Sequence, residues 1–406
     1  MDLKSICSFI YSSFIMLLLV PGTVNRILGS SDLINSNIVA DCMILIVIFM
    51  TLMLIIINIK DGIKLSYIGI GVIALISMYK ISVLSGQPLS WRLSGYVLLF
   101  ILISLLALKR INNMVSSQGV FWGVIFFALV NSLIGISQYL TQRTLISMTS
   151  QLDMSTITLN SDLFIFGHTG MLRAFGFSNS GMAFGTIAVL GFVLVTYQEI
   201  PISKVIRYFL AFVFALAVIA SLTKNVYILF VLVIFLKYVP GFIKKYIYLL
   251  GVVVQFLAGP FAYFLQNSPY FQSDFFATFK IRYTGLIYFQ NYYANTLENI
   301  IWGHGFQYDS SYKNFTALAL DNQFWAIYFE GGIVLLFIVY FLIYKVAFNK
   351  SNTYHSFTSI LVLFGVFGIS NNYLYFFLGV AIFSTLVSSL NKMNSVDLNT
   401  KLKGGV

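Results

Sequence analysis

"DNQFWAIYFEGGIVLLFIVYFLIYK", residues 321–345, opens on an acid–amide pair, continues through an apolar run and closes on a lysine. Between Asn322 and Lys345 the only charged residue is Glu330. A predominantly apolar stretch of roughly 17–25 residues crosses a bilayer as a helix, because inside hydrocarbon every backbone N–H and C=O has to be satisfied within the segment. The stretch therefore predicts a membrane helix over 322–345. Asp321 is placed to cap its first turn. At about 100° per residue, Phe324, Trp325, Tyr328 and Gly332 share the Asp321 side, whereas Glu330 points the opposite way and about 13 Å further along the axis. Glu330 then suits helix packing with a buried partner.

The rest of the chain repeats this pattern. Of 406 residues, 59% are hydrophobic and 9% charged, with mean hydropathy +0.89, which predicts an all-α polytopic membrane protein. Twelve apolar stretches read as spans, at about 6–22, 38–59, 65–85, 91–108, 119–140, 181–198, 205–222, 225–240, 243–265, 322–345, 356–370 and 373–390. The count is eleven if the short penultimate stretch is discounted. Residues 1–390 form one transmembrane domain, and 391–406 a polar cytoplasmic tail.

Lys and Arg collect on the cytoplasmic side of membrane proteins. With the N terminus inside, fifteen of the 24 basic residues fall in inner segments, eight in outer ones and Lys80 within a helix, so both termini are expected in the cytoplasm. The net charge of +11 is then largely a record of topology, and it is no nucleic-acid footprint. Cys7 and Cys42 fall near opposite faces of the membrane, which argues against a disulfide. No small-residue cleavage site follows the first apolar run, so it reads as an uncleaved span.

Most loops are short, but two outer segments stand apart, 141–180 and 266–321. A chain that places its extramembrane residues on one face is expected to work there. In the second loop Phe275, Phe279, Arg282, Tyr283, Leu286 and Phe289 recur mostly at three- and four-residue steps, which predicts an amphipathic helix. No metal-ligand spacing, nucleophile elbow, phosphate loop or dinucleotide fingerprint is present, which leaves the polar residues of the outer face. Arg173, ahead of the Ser178–Asn179–Ser180 cluster, reads either as an interfacial anchor or as an anion clamp. Lys224 closes the tight turn "SLTKN" (221–225), held by two helices. Arg282 is the third outer cation of this kind. Asp321 sits beside aromatic faces, and His304 in "GHGF" is the rival base.

Several of these pieces resemble one family, the bacterial O-antigen polymerases and ligases. "LIGISQYL" (133–140) resembles its fifth-span segment and "RAFGFSNSGMAFG" (173–185) its Arg-aromatic-Gly/Asn entry to the next span. "SLTKN" is similar to its Ser-Arg turn, with Lys224 in place of Arg, and "WGHGFQY" (302–308) to its Gly-x-Gly loop. "DNQFWAIYFEGGIVLLF" (321–337) resembles the segment after that loop, although ligases typically carry His where this chain has Asp321, which favours a polymerase. The resemblance covers about residues 130–345.

What it implies is polymerisation of oligosaccharide repeat units carried on undecaprenyl pyrophosphate, at the outer face of the bacterial inner membrane, without metal or cofactor. Arg173, Lys224 and Arg282 would hold the departing pyrophosphate, and Asp321 or His304 the acceptor hydroxyl. Trp325, Tyr328 and Asn322 would hold sugar rings. Membrane lipid, a chain-length regulator and a flippase are the implied partners. A ligase and a polysaccharide flippase or other transporter are the alternatives; against a transporter stands the lack of paired, interrupted helices in two halves.

Overall fold

The structure, a computed structural model, describes residues 2–19, 36–85, 93–111, 113–143, 165–166, 171–178, 180–197, 202–265, 268, 296–304, 322–349, 355–368 and 374–403. The helices, in chain order, are α1 (Leu3–Leu18), α2 (Ser36–Asn58), α3 (Leu65–Ser85), α4 (Leu93–Ala107), α5 (Ser117–Thr141), α6 (Gly181–Thr196), α7 (Lys204–Ala220) and α8 (Lys224–Leu236). They continue with α9 (Gly241–Leu265), α10 (Leu297–Trp302), α11 (Gln323–Ala347), α12 (His355–Phe367) and α13 (Leu374–Lys403). A two-stranded antiparallel hairpin, β1 (Ile165–Phe166) and β2 (Met171–Leu172), pairs Ile165 with Leu172.

Each of the twelve apolar stretches falls on a helix. Among the described residues, four are long and apolar enough to cross a membrane: Cys42–Asp61, Ser117–Thr141, Gly241–Ala262 and Gln323–Ala347. Seven more among the described residues are shorter apolar helices. Surface composition makes the same point, since α7 exposes Phe209, Phe212 and Ile219, and α9 exposes Leu250, Val253 and Phe264. Apolar faces of that extent belong in hydrocarbon.

At the centre stand α12 and α13. Residues 356–365 of α12 are all buried, as expected of a helix that is apolar around its whole circumference. α12 packs against α6, α8, α9, α11 and α13. Beyond Leu390 the backbone stays helical to Lys403, through a sequence with neither Gly nor Pro until Gly404.

Two further expectations are corrected in α11. The cap is Asn322, whose Oδ1 accepts from the backbone N–H of Trp325 at 3.2 Å, so the helix begins one residue later than a cap at Asp321 requires. Asp321 itself lies outside the described residues, as do Arg282 and the helix expected over 275–289. The helix is also interrupted, because Gly332 has φ 65° and ψ −167°.

Into this break fits the short helix α10. Its terminal Gly303, at φ 78° and ψ −175°, meets the carbonyl of Glu330, and Gly332 meets the carbonyl of Ile301. The next residue, His304, donates its backbone N–H to Phe329 O at 2.7 Å. At the other end of α10, Glu298 pairs with Lys80 of α3 at 2.7 Å, which holds that carboxylate below its ordinary range. Both glycines occupy a backbone region that is closed to side chains, and a Cβ on either would overlap the facing carbonyl.

Gly332→Ala is therefore expected to cost about 1–3 kcal/mol from backbone conformation alone, before any displacement of α10. Gly69 in α3 faces open space, so Gly69→Ala should leave stability unchanged or raise it by up to ~1 kcal/mol. Thermal melting of the two purified variants in detergent checks the opposite signs.

Candidate functional site

The candidate residues gather into two groups, each among helices that pack against α12. The first is built where the loop after β2 turns down against α5. Backbone N–H groups of Phe175 and Gly176 donate to Gln138 Oε1 at 3.1 and 2.8 Å, and Phe177 N donates to Asn131 Oδ1 at 2.8 Å. Ala174 N donates to Ala220 O at 3.0 Å, which stitches the loop to the end of α7. The α7–α8 turn follows directly, so Arg173 and Lys224 are brought to one corner of the bundle. Tyr227, one turn beyond Lys224, lies within electrostatic reach of both Arg173 and Tyr139.

That corner favours an anion for reasons beyond the two side chains. α6 and α8 both begin here, and Gly181 of α6 lies against Ser221 O and Thr223. Thr223 holds the cap position of α8, yet its hydroxyl donates to Ser221 O at 2.8 Å and makes no capping bond. The positive end of α8 is thus left without a side-chain acceptor while Lys224, exposed, stands at its first position.

The second group lies between α9 and α11. Pro260 interrupts α9, and a proline removes the N–H that would bond the carbonyl four residues earlier, here Phe256 O. The indole Nε1–H of Trp325 takes that carbonyl at 3.2 Å. One residue before it, Gln255 O accepts from Asn322 Nδ2 at 3.1 Å. The Gln255 side chain is itself buried, donating to Gly365 O and accepting from the Tyr340 hydroxyl at 2.5 Å, which ties α9, α11 and α12 together.

Pro260 and the Gly332 break flank a cavity of about 440 Å³ lined by Phe256, Phe324, Trp325, Tyr328, Phe329 and Ile333 among others. Phe256 and Trp325 are stacked with centroids 6.0 Å apart, and Tyr328 meets Trp325 edge-on at 5.6 Å. His304 is half-buried beside Phe329, at 6.3 Å between ring centroids. Burial lowers its pKa below the ordinary value, which favours neutral imidazole at pH 7, able to accept a proton.

Trp325 and Tyr328, expected at a sugar site, do line this cavity. Asn322 is buried, with its amide engaged at both ends by backbone. Sequence reasoning missed Phe256 and Pro260 from α9, and the roles of Gln138 and Asn131. The available signal was Pro260 inside an otherwise uninterrupted apolar run, which marks a carbonyl four residues back in need of a donor. No family model matches the chain, and neither a curated protein nor a solved structure does.

Two outcomes follow from this geometry. Trp325→Phe should destabilise the wild type by about 1 kcal/mol more than it destabilises the Pro260→Ala variant, where the backbone N–H restored at position 260 can take Phe256 O; a double-mutant cycle in thermal or denaturant unfolding measures that coupling. For His304 the folded pKa is lowered, so between that value and the unfolded value of 6.5 the unfolded chain binds more protons. Its contribution to stability is present above pH 6.5 and declines as pH falls through that window. His304→Gln should flatten this part of the melting-temperature profile and leave the separate loss near and below pH 4.5, where Glu298 titrates.

Proposed function

We propose that the protein polymerises oligosaccharide repeat units carried on undecaprenyl pyrophosphate, at the outer face of a bacterial inner membrane, as a twelve-span enzyme with both termini in the cytoplasm. The observation that carries this reading is convergence. The quoted stretches around Gln138, Arg173 and Lys224 come together at one corner, and those around His304 and Asn322–Gly332 at the α9–α11 cavity, with α12 shared by both.

In this reading an acceptor hydroxyl oxygen attacks the anomeric carbon of the donor while the bond to pyrophosphate breaks. The proton passes to His304 or Asp321, and the lipid-linked pyrophosphate leaves as the anion. Arg173 and Lys224, with Arg282 from the second loop, stabilise that anion, and the positive end of α8 adds to their field. Arg173 grips two phosphate oxygens, whereas Lys224 acts as a point charge. Trp325 and Tyr328 supply ring faces for sugar. A chain-length regulator and a flippase are the partners such an enzyme needs.

The runner-up is transport, favoured by the interrupted α11 and by Pro260 inside α9, since discontinuous helices line transporter sites. A strain lacking only this protein separates the readings. Single repeat units reaching the surface mean a polymerase, long polymer retained on its lipid means a ligase, and repeats trapped inside mean a transporter. Within the polymerase reading, Arg173→Ala and Lys224→Ala, expressed at the normal level, should each lower polymer yield roughly ten- to a hundredfold, the equivalent of one charge-assisted contact of about 1.5–3 kcal/mol. Unchanged polymer length and yield in both would remove the clamp.

A further inference from the structure

Asn131 and Gln138 stand seven residues apart on α5, which at about 100° per residue places them on one face, and Gln142, at φ 52°, is the left-handed residue that caps the helix at its C-terminal end. The side-chain oxygens of all three accept from the backbone of a single segment, residues 172–177, while Gln142 Nε2 turns back to Tyr139 O. Gln142 Oε1 accepts from Leu172 N at 2.8 Å, Gln138 Oε1 from Phe175 N and Gly176 N, and Asn131 Oδ1 from Phe177 N. Gln138 also donates through Nε2 to Gly176 O at 3.3 Å, so its amide reads both a donor and an acceptor of the loop.

The rest of the segment is fixed as well. Ala174 N reaches Ala220 O, and Ser178 N reaches Phe175 O at 2.7 Å. The N–H groups of Leu172, Ala174, Phe175, Gly176, Phe177 and Ser178 thus all have acceptors, although the segment is neither helix nor strand beyond Leu172. Asn131 and Gln138 are fully buried. Irregular backbone whose N–H groups are held by these amides and by the carbonyls of Ala220 and Phe175 is a device for placing what it carries, and Arg173 lies between the held residues Leu172 and Ala174.

We infer that the amide set Asn131–Gln138–Gln142 is a positioning element that sets the place of the Arg173 guanidinium at the α7–α8 corner. Gln138 is its main member. The set touches no substrate and acts through Arg173, so its effect on polymerisation rests on the assignment of Arg173 to pyrophosphate made above. Its effect on the loop does not.

The test uses the full chain in detergent. Amide exchange is followed over residues 172–178, and phenylglyoxal labelling of Arg173 is followed by mass spectrometry. Gln138→Met keeps the side-chain volume and removes every hydrogen bond, so exchange at Phe175 and Gly176 should rise about tenfold or more and the Arg173 labelling rate should shift severalfold. Gln138→Glu, whose carboxyl is held neutral by burial, keeps an acceptor and a donor and should stay near wild type. Gln142→Met, at the exposed end of the set, should release Leu172 without threatening the fold of α5. Exchange and labelling within about twofold of wild type in both Met variants would overturn the inference.

Polymer yield then separates the two claims. Gln138→Met combined with Arg173→Ala should be no worse than Arg173→Ala alone; additive losses would mean that Gln138 acts elsewhere and would also overturn the inference. If Arg173→Ala alone leaves polymer unchanged, the pyrophosphate clamp falls, and the exchange and labelling results still decide the positioning role.

Discussion

Without water, every backbone N–H and C=O must find a partner inside the protein, and the candidate site exists where this chain departs from helix and still meets that demand. It departs in three places. At Pro260 a carbonyl of α9 is released and the indole of Trp325 takes it. At Gly332 α11 breaks, and the end of α10 with His304 closes against the break. After β2 the chain descends as irregular loop, and the amides of α5 meet its N–H groups. Each departure opens surface or presents a side chain that an uninterrupted helix would not.

Electrostatics separates the two groups built on these departures. Arg173 and Lys224 carry like charge, and the positive ends of α6 and α8 add to the same field, so their corner favours an anion. The α9–α11 cavity is opposite in character, lined by apolar and aromatic side chains, with a histidine that burial keeps neutral. In the proposed reading, transfer of a sugar from a lipid-linked pyrophosphate would draw on both environments: one that gains from negative charge and one that accepts a proton. α12, apolar around its circumference, packs against the helices of both.

Much of the helical layout was legible because apolar runs of bilayer length admit few other readings. The stretch 65–85 coincides with α3, and the run from 322 to 345 is α11 to within two residues. What was not legible has one cause. Gly331–Gly332 inside an apolar run reads as tolerated glycine, since nothing in the local sequence says that α10, about thirty residues earlier, will occupy the break. Asn322 and Trp325 read as exposed recognition residues because the carbonyls they satisfy belong to α9, 67 and 69 positions away in the chain. Side chains that partner a distant backbone leave no local period, whereas the serines that cap α5, α6 and α7 within their own first turns follow rules that a sequence states outright.

The engagement of Asn322 alters how a sugar could be recognised. With Oδ1 on Trp325 N and Nδ2 on Gln255 O, its amide is committed to joining the start of α11 to the interrupted part of α9. Trp325 is likewise committed through the only polar atom of its side chain, so it offers ring face. In the proposed reading, hydroxyl recognition would fall to the Tyr328 hydroxyl in the cavity wall and to the His304 imidazole beside Phe329. A ring stacked on Trp325 would be oriented by its apolar face, with its hydroxyls turned toward the candidate bases. In the proposed reading, the same side chains that satisfy α9 at Pro260 would thereby set the face of the acceptor that meets the donor, so the structural duty of Asn322 and Trp325 would come before any role in holding a sugar.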